Sequence, residues 1–442
     1  MKKRFYLFLL GLMLIGGCGT APSSTNDTAS SEVLSDEGTS VVVSEIEQSE
    51  GDFGQAETTS KDSTRAESNA NLALESSPEV LNNLSEANVQ ETVGQTPYGY
   101  DLIMVGDVLL HTRVEESCLQ EDGSYAYSSL FEQMKDEISA ADTAIVNQEV
   151  ILGGIDLGVS GYPAFNAPYE VADALVEAGF DVVCHGTNHA LDKGSHGLLN
   201  CLSYWGSAYP QIEVLGIHDS EEDQAEISYL DANGVTIGIL NFTYSTNGIS
   251  MPSDMPYLID MLDKEKVRAR LREAREHADF LMVCPHWGTE YRLSKDASQE
   301  RWCNLFLEEG VDLVLGTHPH VIEPIEWLED PETGHRMLVY YSLGNYINWT
   351  SGTREGVANR MVGGMAKIHL ALYDTGKPYI ESYGVRALVT HVEEGPEMVK
   401  TYPLAEYTPE LAEKNAIRSQ DSAFTYEYCI QLCDEIWGEL WE

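Results

Sequence analysis

The chain has 442 residues, and 72 Asp and Glu against 26 Lys and Arg give it a formal net charge of −46. Such an excess excludes recruitment to a nucleic-acid backbone or an anionic membrane surface by general electrostatics, because both need clustered cations. Hydrophobic residues at 43% and charged residues at 22% are ordinary globular values, which excludes disorder of the whole chain.

The first residues read as an export signal. Lys2, Lys3 and Arg4 precede an apolar run from Phe5 to Ile15 that is too short for a comfortable membrane span. Leu14-Ile15-Gly16-Gly17-Cys18 sets two small residues before a cysteine and resembles the lipobox of bacterial lipoproteins. That resemblance implies lipidation at Cys18 and a hold on the extracytoplasmic face of the cell membrane. An ordinary secretory signal is the alternative, and export follows from both. Residues 19–97 hold 23 Ser and Thr, 15 Asp and Glu, two basic residues (Lys61, Arg65) and one aromatic, Phe53. So little apolar surface does not offset the entropy of ordering, so a disordered acidic linker is expected, with a span of roughly 50 Å.

Residues 98–442 are expected to form the folded domain and carry 57 acidic and 21 basic side chains, a net −36. Asp101–Leu110 reads as a strand, Ser128–Ala141 as a helix and Thr143–Val150 as a strand. A helix at Val171–Gly179 leads into Asp181-Val182-Val183-Cys184. Further strand-like runs are Val235–Phe242, Phe280–Cys284, Val311–Leu315 and Met337–Tyr341, with a charged helix at Asp263–His277. Lys367–Val392 reads as antiparallel strands and Glu427–Trp441 as a closing helix. Strands alternating with helices indicate an α/β domain, and no fixed-period repeat is visible.

In open α/β sheets the carboxyl ends of the strands form the ligand crevice. Here successive runs end in Gly106-Asp107, Asn147-Gln148-Glu149, Gly186-Thr187-Asn188-His189, His286-Trp287-Gly288, Gly316-Thr317-His318-Pro319-His320 and Ser342-Leu343-Gly344-Asn345. Singly, each has a plain account. Asp107 reads as a turn cap, Glu149 as a solvated carboxylate, Asn188 and His189 as a helix start, and His286 as a core histidine. Two imidazoles at His318 and His320, around Pro319, are harder to place in a packed core. Together the imidazoles and carboxylates suit Mn²⁺, Fe, Zn²⁺ or Co²⁺. A pair of such ions can activate water and clamp the oxygens of an in-line displacement.

The blocks Gly-Asp-Val-Leu-Leu-His (106–111), Asn-Gln-Glu (147–149), Asn-His-Ala-Leu-Asp-Lys-Gly (188–194), His-Trp-Gly-Thr-Glu-Tyr (286–291), Gly-Thr-His-Pro-His-Val (316–321) and Ser-Leu-Gly-Asn-Tyr (342–346) resemble the CapA-type capsule-synthesis family. The resemblance covers about residues 98–347. It implies a role with poly-γ-glutamate capsules and a calcineurin-like metallophosphoesterase fold, a four-layer α/β/β/α sandwich with a site for two divalent metal ions. Carried over from that pattern, Asp107 and His320 ligate the first ion and Glu149 bridges both. Asn188, His286 and His318 hold the second. His189 stands beside the metals as proton donor or charge stabiliser.

The chain departs from the pattern at three points. The usual Asp-x-His is absent, and the next histidine, His111, is a possible metal ligand. The bridging carboxylate is Glu instead of Asp, and Thr187 replaces an Asn. Asp192 either orients His189 or is a first-turn acid favoured by the helix dipole. Glu290 reads as a second general base, a partner for a substrate amine, or a surface charge, and Asn345 as a loop-fixing residue. Cys118, Cys184, Cys201, Cys284, Cys303, Cys429 and Cys433 show no CxxC pair and no reliable disulfide signal. Neither a Walker loop nor a GxSxG elbow is present.

The expectation is therefore a lipid-anchored, metal-dependent hydrolase or transferase acting on an anionic envelope polymer or another phosphate-containing substrate, within a capsule-synthesis membrane complex and without nucleic acid. The alternative is a non-enzymatic polymer-export or tethering subunit that keeps the fold.

Overall fold

The structure is a computed structural model that describes residues 98–372 and 377–442. The signal, Cys18 and the 19–97 linker lie outside the described residues. In chain order the strands are β1 (Tyr98–Val108), β2 (Thr143–Gln148), β3 (Val182–Cys184), β4 (Glu213–Leu215), β5 (Ser228–Ala232), β6 (Val235–Thr243), β7 (Phe280–His286), β8 (Leu313–Leu315), β9 (Ile325–Glu329), β10 (Arg336–Tyr340), β11 (Asn345–Ile347), β12 (Val362–Leu372), β13 (Tyr379–Val392) and β14 (Val399–Pro403). The helices are α1 (Thr112–Cys118), α2 (Lys135–Ala140), α3 (Glu170–Ala178), α4 (Gly194–Ala208), α5 (Glu221–Ala225), α6 (Lys264–His277), α7 (Ala297–Glu308), α8 (Pro409–Lys414) and α9 (Tyr426–Trp437).

Two sheets result. One has the order β14-β13-β12-β1-β2-β3-β4 with β11 beside β1, and the other β5-β6-β7-β8-β10-β9. Within the first, β1 to β4 run parallel; within the second, β6, β7, β8 and β10 do. Parallel strands are covered on both faces, so their sequences are apolar throughout. The alternation of β7 shows which face is which. Met282 and Cys284 join the large core between the sheets. Leu281 and Val283 pack outward with Val267, Leu271 and Ala274 of α6 and with Cys303 and Phe306 of α7. Ile138 of α2, with Val171 and Leu175 of α3, belongs to the core of the first sheet. The layers are α/β/β/α.

Two sequence-expected helices differ from the structure. Ser128–Ala141 splits into a short 3-10 turn at Ser128–Leu130 and α2. Between them Phe131 is buried, stacked on Tyr346 at 5.7 Å and edge-on to Phe180 at 6.2 Å; this packing overrides the helical spacing. The closing helix stops at Trp437, because Gly438 adopts φ +59°. The chain beyond it returns to bond β13, with Ala387 N–H donating to Glu442 O at 3.0 Å.

Candidate metal centre

The parallel strands of both sheets end at one place. Asp107 pairs with Asn147 of β2 and Asn345 of β11. In the other sheet Thr243 pairs with His286, which bridges to Thr317. Register alone therefore sets Asp107, Asn147 and Asn345 in one row and Thr243, His286 and Thr317 in another.

Between the rows lies Glu149, fully buried. Its Oε1 faces His286 Nε2 at 3.6 Å, His320 Nε2 at 3.7 Å and His189 Nε2 at 3.9 Å. These separations exceed hydrogen-bond distance, and neither carboxylate oxygen has a hydrogen-bond partner. His318 Nδ1 and Asn147 Oδ1 are likewise buried without partners. Ligand atoms of Glu149, His318 and His320 lie within 4.8 Å of one another. A buried carboxylate with both oxygens unpaired is costly unless a cation compensates it. Imidazole nitrogens converging on it make a donor set that fits a divalent transition ion.

The remaining contacts orient these donors. Asn147 Nδ2 donates to Asp107 Oδ1 at 2.8 Å, and His318 N–H to Asp107 Oδ2 at 3.3 Å. His320 Nδ1 lies 3.1 Å from both Asp107 Oδ2 and Asn345 Oδ1. These contacts hold the His320 ring with Nε2 turned toward Glu149. His286 Nε2 is 2.8 Å from Asn188 Oδ1 and its Nδ1 3.0 Å from Thr317 Oγ1. His318 and His320 hold φ of +100° and +58°, a left-handed backbone that costs about 1–3 kcal/mol per residue. That strain lets two side chains flanking Pro319 turn toward one centre.

Burial and mutual charge shift the titration of these groups. Burial and the neighbouring Glu149 charge raise the Asp107 carboxyl. Burial works against ionisation of Glu149 too, yet the charges of His320, His286 and His189 hold it well below the usual range. Burial, His286 and His320 lower His318. Burial would also lower His320, but Glu149 and Asp107 outweigh it and push this imidazole up to about 9.

His189 sits beside this group. Its Nδ1 is 2.7 Å from Asp192 Oδ2, which also accepts the Phe165 N–H at 2.7 Å. Phe165 packs edge-on to the ring at 4.7 Å. Asp192 therefore touches His189. Thr187 fills the place of the absent Asn with a hydroxyl. Its Oγ1 donates to Glu149 O at 2.9 Å and accepts His189 N–H at 3.2 Å. Asn345 ties the loop after β8 by donating to His320 O and Arg360 O, both at 3.0 Å.

His111 packs edge-on to Phe165 at 5.1 Å, and burial with the His320 charge lowers it to about 4. It is not part of the Glu149–His318–His320 group. Glu290 is exposed on the rim and hydrogen-bonds Tyr291. All seven described cysteines are buried and free.

Three residues around the site escaped the sequence reading. Asn188 Nδ2 donates to Asn247 Oδ1 at 3.1 Å, and the Asn247 amide nitrogen lies 3.2 Å from His189 Nδ1. Tyr244 covers His318 with ring centroids 4.5 Å apart. Both follow β6, a strand end whose Thr-Tyr-Ser-Thr-Asn-Gly loop carried the turn signal but no histidine or carboxylate. Arg360 lies under Tyr291, and nothing in its spacing marks it.

Comparison with known proteins agrees with the block resemblance. Residues 101–350 match the family described as bacterial capsule synthesis protein PGA_cap. The PGA biosynthesis protein CapA of Bacillus subtilis (strain 168) is 32% identical over 213 residues, 47% of this chain and 52% of that protein. The capsule biosynthesis protein CapA of Bacillus anthracis is 25% identical over 261 residues, 56% of this chain and 60% of that one. The chain thus spans between half and two thirds of the length of these relatives. Among solved structures, an NAD nucleotidase of Haemophilus influenzae gives a TM-score of 0.42 at 11% identity, over 79% of this chain and 57% of that one. With the family's description matched across more than half of its length, the chain belongs to the PGA_cap capsule-synthesis family.

Proposed function

We propose that this chain is a lipid-anchored, extracytoplasmic hydrolase or transferase that uses two divalent ions on an anionic envelope polymer, poly-γ-glutamate or a phosphate-containing one. The observation that carries this reading is the buried Glu149 carboxylate, unpaired at both oxygens and ringed by three imidazole nitrogens at 3.6–3.9 Å. Asp107, Glu149, His320, His318, His286 and Asn188 would hold the ions. Bound there, they would supply an activated water and polarise the phosphoryl or carbonyl group under attack.

The chain's own residues do the rest. Asp192 holds the His189 ring with Nδ1–H donated to its carboxylate, so Nε2 points at the reacting region. A protonated His189 delivers its Nε2 proton to the departing oxygen or nitrogen. Phe165 packs behind the ring and Tyr244 over His318, which fixes the two imidazoles in place. The capsule-polymer substrate rests on the family, and the anchor on Cys18.

The test is a substrate screen on the full-length, metal-loaded protein with phosphoester and γ-glutamyl substrates, repeated on Asp107→Ala. Turnover that disappears in the variant supports the reading. A metal-loaded protein that turns over neither class overturns it in favour of an export or tethering role.

A further inference from the structure

In a domain with a net −36, the arginines that are partly buried mostly sit against carboxylates. Arg268 and Arg386 bind glutamates, and Arg275 binds Asp312. Arg360 is different. It is only 6% exposed, its Nε has no hydrogen-bond partner, and its Nη1 makes one long contact, 3.5 Å to Thr350 Oγ1. Its guanidinium lies 3.5 Å from the centroid of the Tyr291 ring. Arg354, exposed on the same loop, stands 5.4 Å from that ring. Among the described residues neither arginine has an ion pair. A buried guanidinium left with spare donors is costly unless something accepts from them.

The stack is joined to the metal centre. Tyr291 takes φ +66°, and its N–H donates to Pro319 O at 2.7 Å, between the two centre histidines. Its ring lies 6.0 Å from that of His320. Asn345 bonds Arg360 O with one end of its amide and contacts His320 Nδ1 with the other. The nearby carboxylate, Glu290, is exposed and bonds Tyr291; its charge is felt at Arg360, but the two form no ion pair.

We propose that the Tyr291–Arg360–Arg354 stack is a subsite for an oxyanion of the substrate, a carboxylate or phosphate one unit along the chain from the group reacting at Glu149. The planar guanidinium, with parallel N–H donors and an aromatic support, suits such a group. The subsite would also offset the repulsion that an acidic domain exerts on a polyanion. This inference rests on the proposed function for the identity of the substrate, but the arginine contact is measurable without turnover.

The experiment measures binding of two probes, inorganic phosphate and a γ-linked glutamate trimer, to full-length protein by calorimetry. Arg360→Gln, Arg360→Lys, Arg354→Gln and the His318→Ala/His320→Ala double variant are compared with the unaltered protein, with metal content determined for each. Arg360→Gln should weaken binding of at least one probe about tenfold or more with metal content unchanged, and Arg360→Lys should restore part of it. The probe affected tells carboxylate from phosphate. Arg354→Gln, at an exposed position, should give a smaller loss that misfolding does not explain. The double variant should lose metal yet keep arginine-dependent binding of the affected probe, so failure of the metal reading shows separately. Unchanged affinity for both probes in Arg360→Gln and Arg354→Gln, or weakening only where metal is also lost, would overturn the proposal.

Discussion

Glu149 and His189 face each other across 3.9 Å, and their substitutions should separate binding from chemistry. Glu149→Gln keeps the shape but removes the charge that collects cations, so metal affinity in a chelator competition should fall by about two orders of magnitude. His189→Gln should leave metal content intact and lower kcat by about 10²–10⁴. Asp192→Asn, which only positions the ring, should cost less in kcat than His189→Gln. A different histidine governs stability against pH. Burial would lower His218, but hydrogen bonds and charge from Asp223 and Asp260 outweigh it and push it up to about 9. A raised imidazole stabilises the fold fully below its unfolded pKa, near 6.5, and loses that contribution as pH rises through 9. His218→Gln should therefore cost about 1–3 kcal/mol at pH 6 and almost nothing at pH 10, read by urea unfolding.

At the scale of elements, glycine decides how closely three strands approach behind the centre. A Cβ on Gly106 of β1 would lie 1.9 Å from Gly344 O, and one on Gly363 of β12 would lie 1.9 Å from Asn345 O. Gly106→Ala should lower unfolding free energy by about 1–3 kcal/mol or more, and metal content with it, because Asp107 is the next residue. Gly206, in α4 with nothing near its would-be Cβ, is the control: Gly206→Ala should stabilise by about 0.5–1 kcal/mol. The strand-end motifs were readable because buried parallel strands are uniformly apolar and ligand types stand out at their ends. Asp107, Glu149, His286, His318 and His320 were found that way. The break in Ser128–Ala141 was not, since it depends on where Phe131 finds Tyr346 across the fold. Arg360 was equally silent: its meaning comes from Tyr291, 69 residues away in sequence, and local pattern carries no record of that meeting.

At the scale of the molecule, the acidity and the centre are linked. A domain of net −36 gains stability from every cation it binds in the folded state alone. Stripping metal with a chelator should lower the thermal midpoint by several degrees, Mn²⁺ should restore it, and Glu149→Gln should show neither response. The claim on which the rest depends is that the strand ends of the two sheets meet to hold metal. Metal content of the purified full-length protein, by elemental analysis after saturation with Mn²⁺, Fe²⁺, Zn²⁺ or Co²⁺, tests it most directly. The account predicts two ions per chain, and loss of binding in the His318→Ala/His320→Ala variant. A folded, unaltered chain that retains no divalent ion under any of these conditions would contradict it.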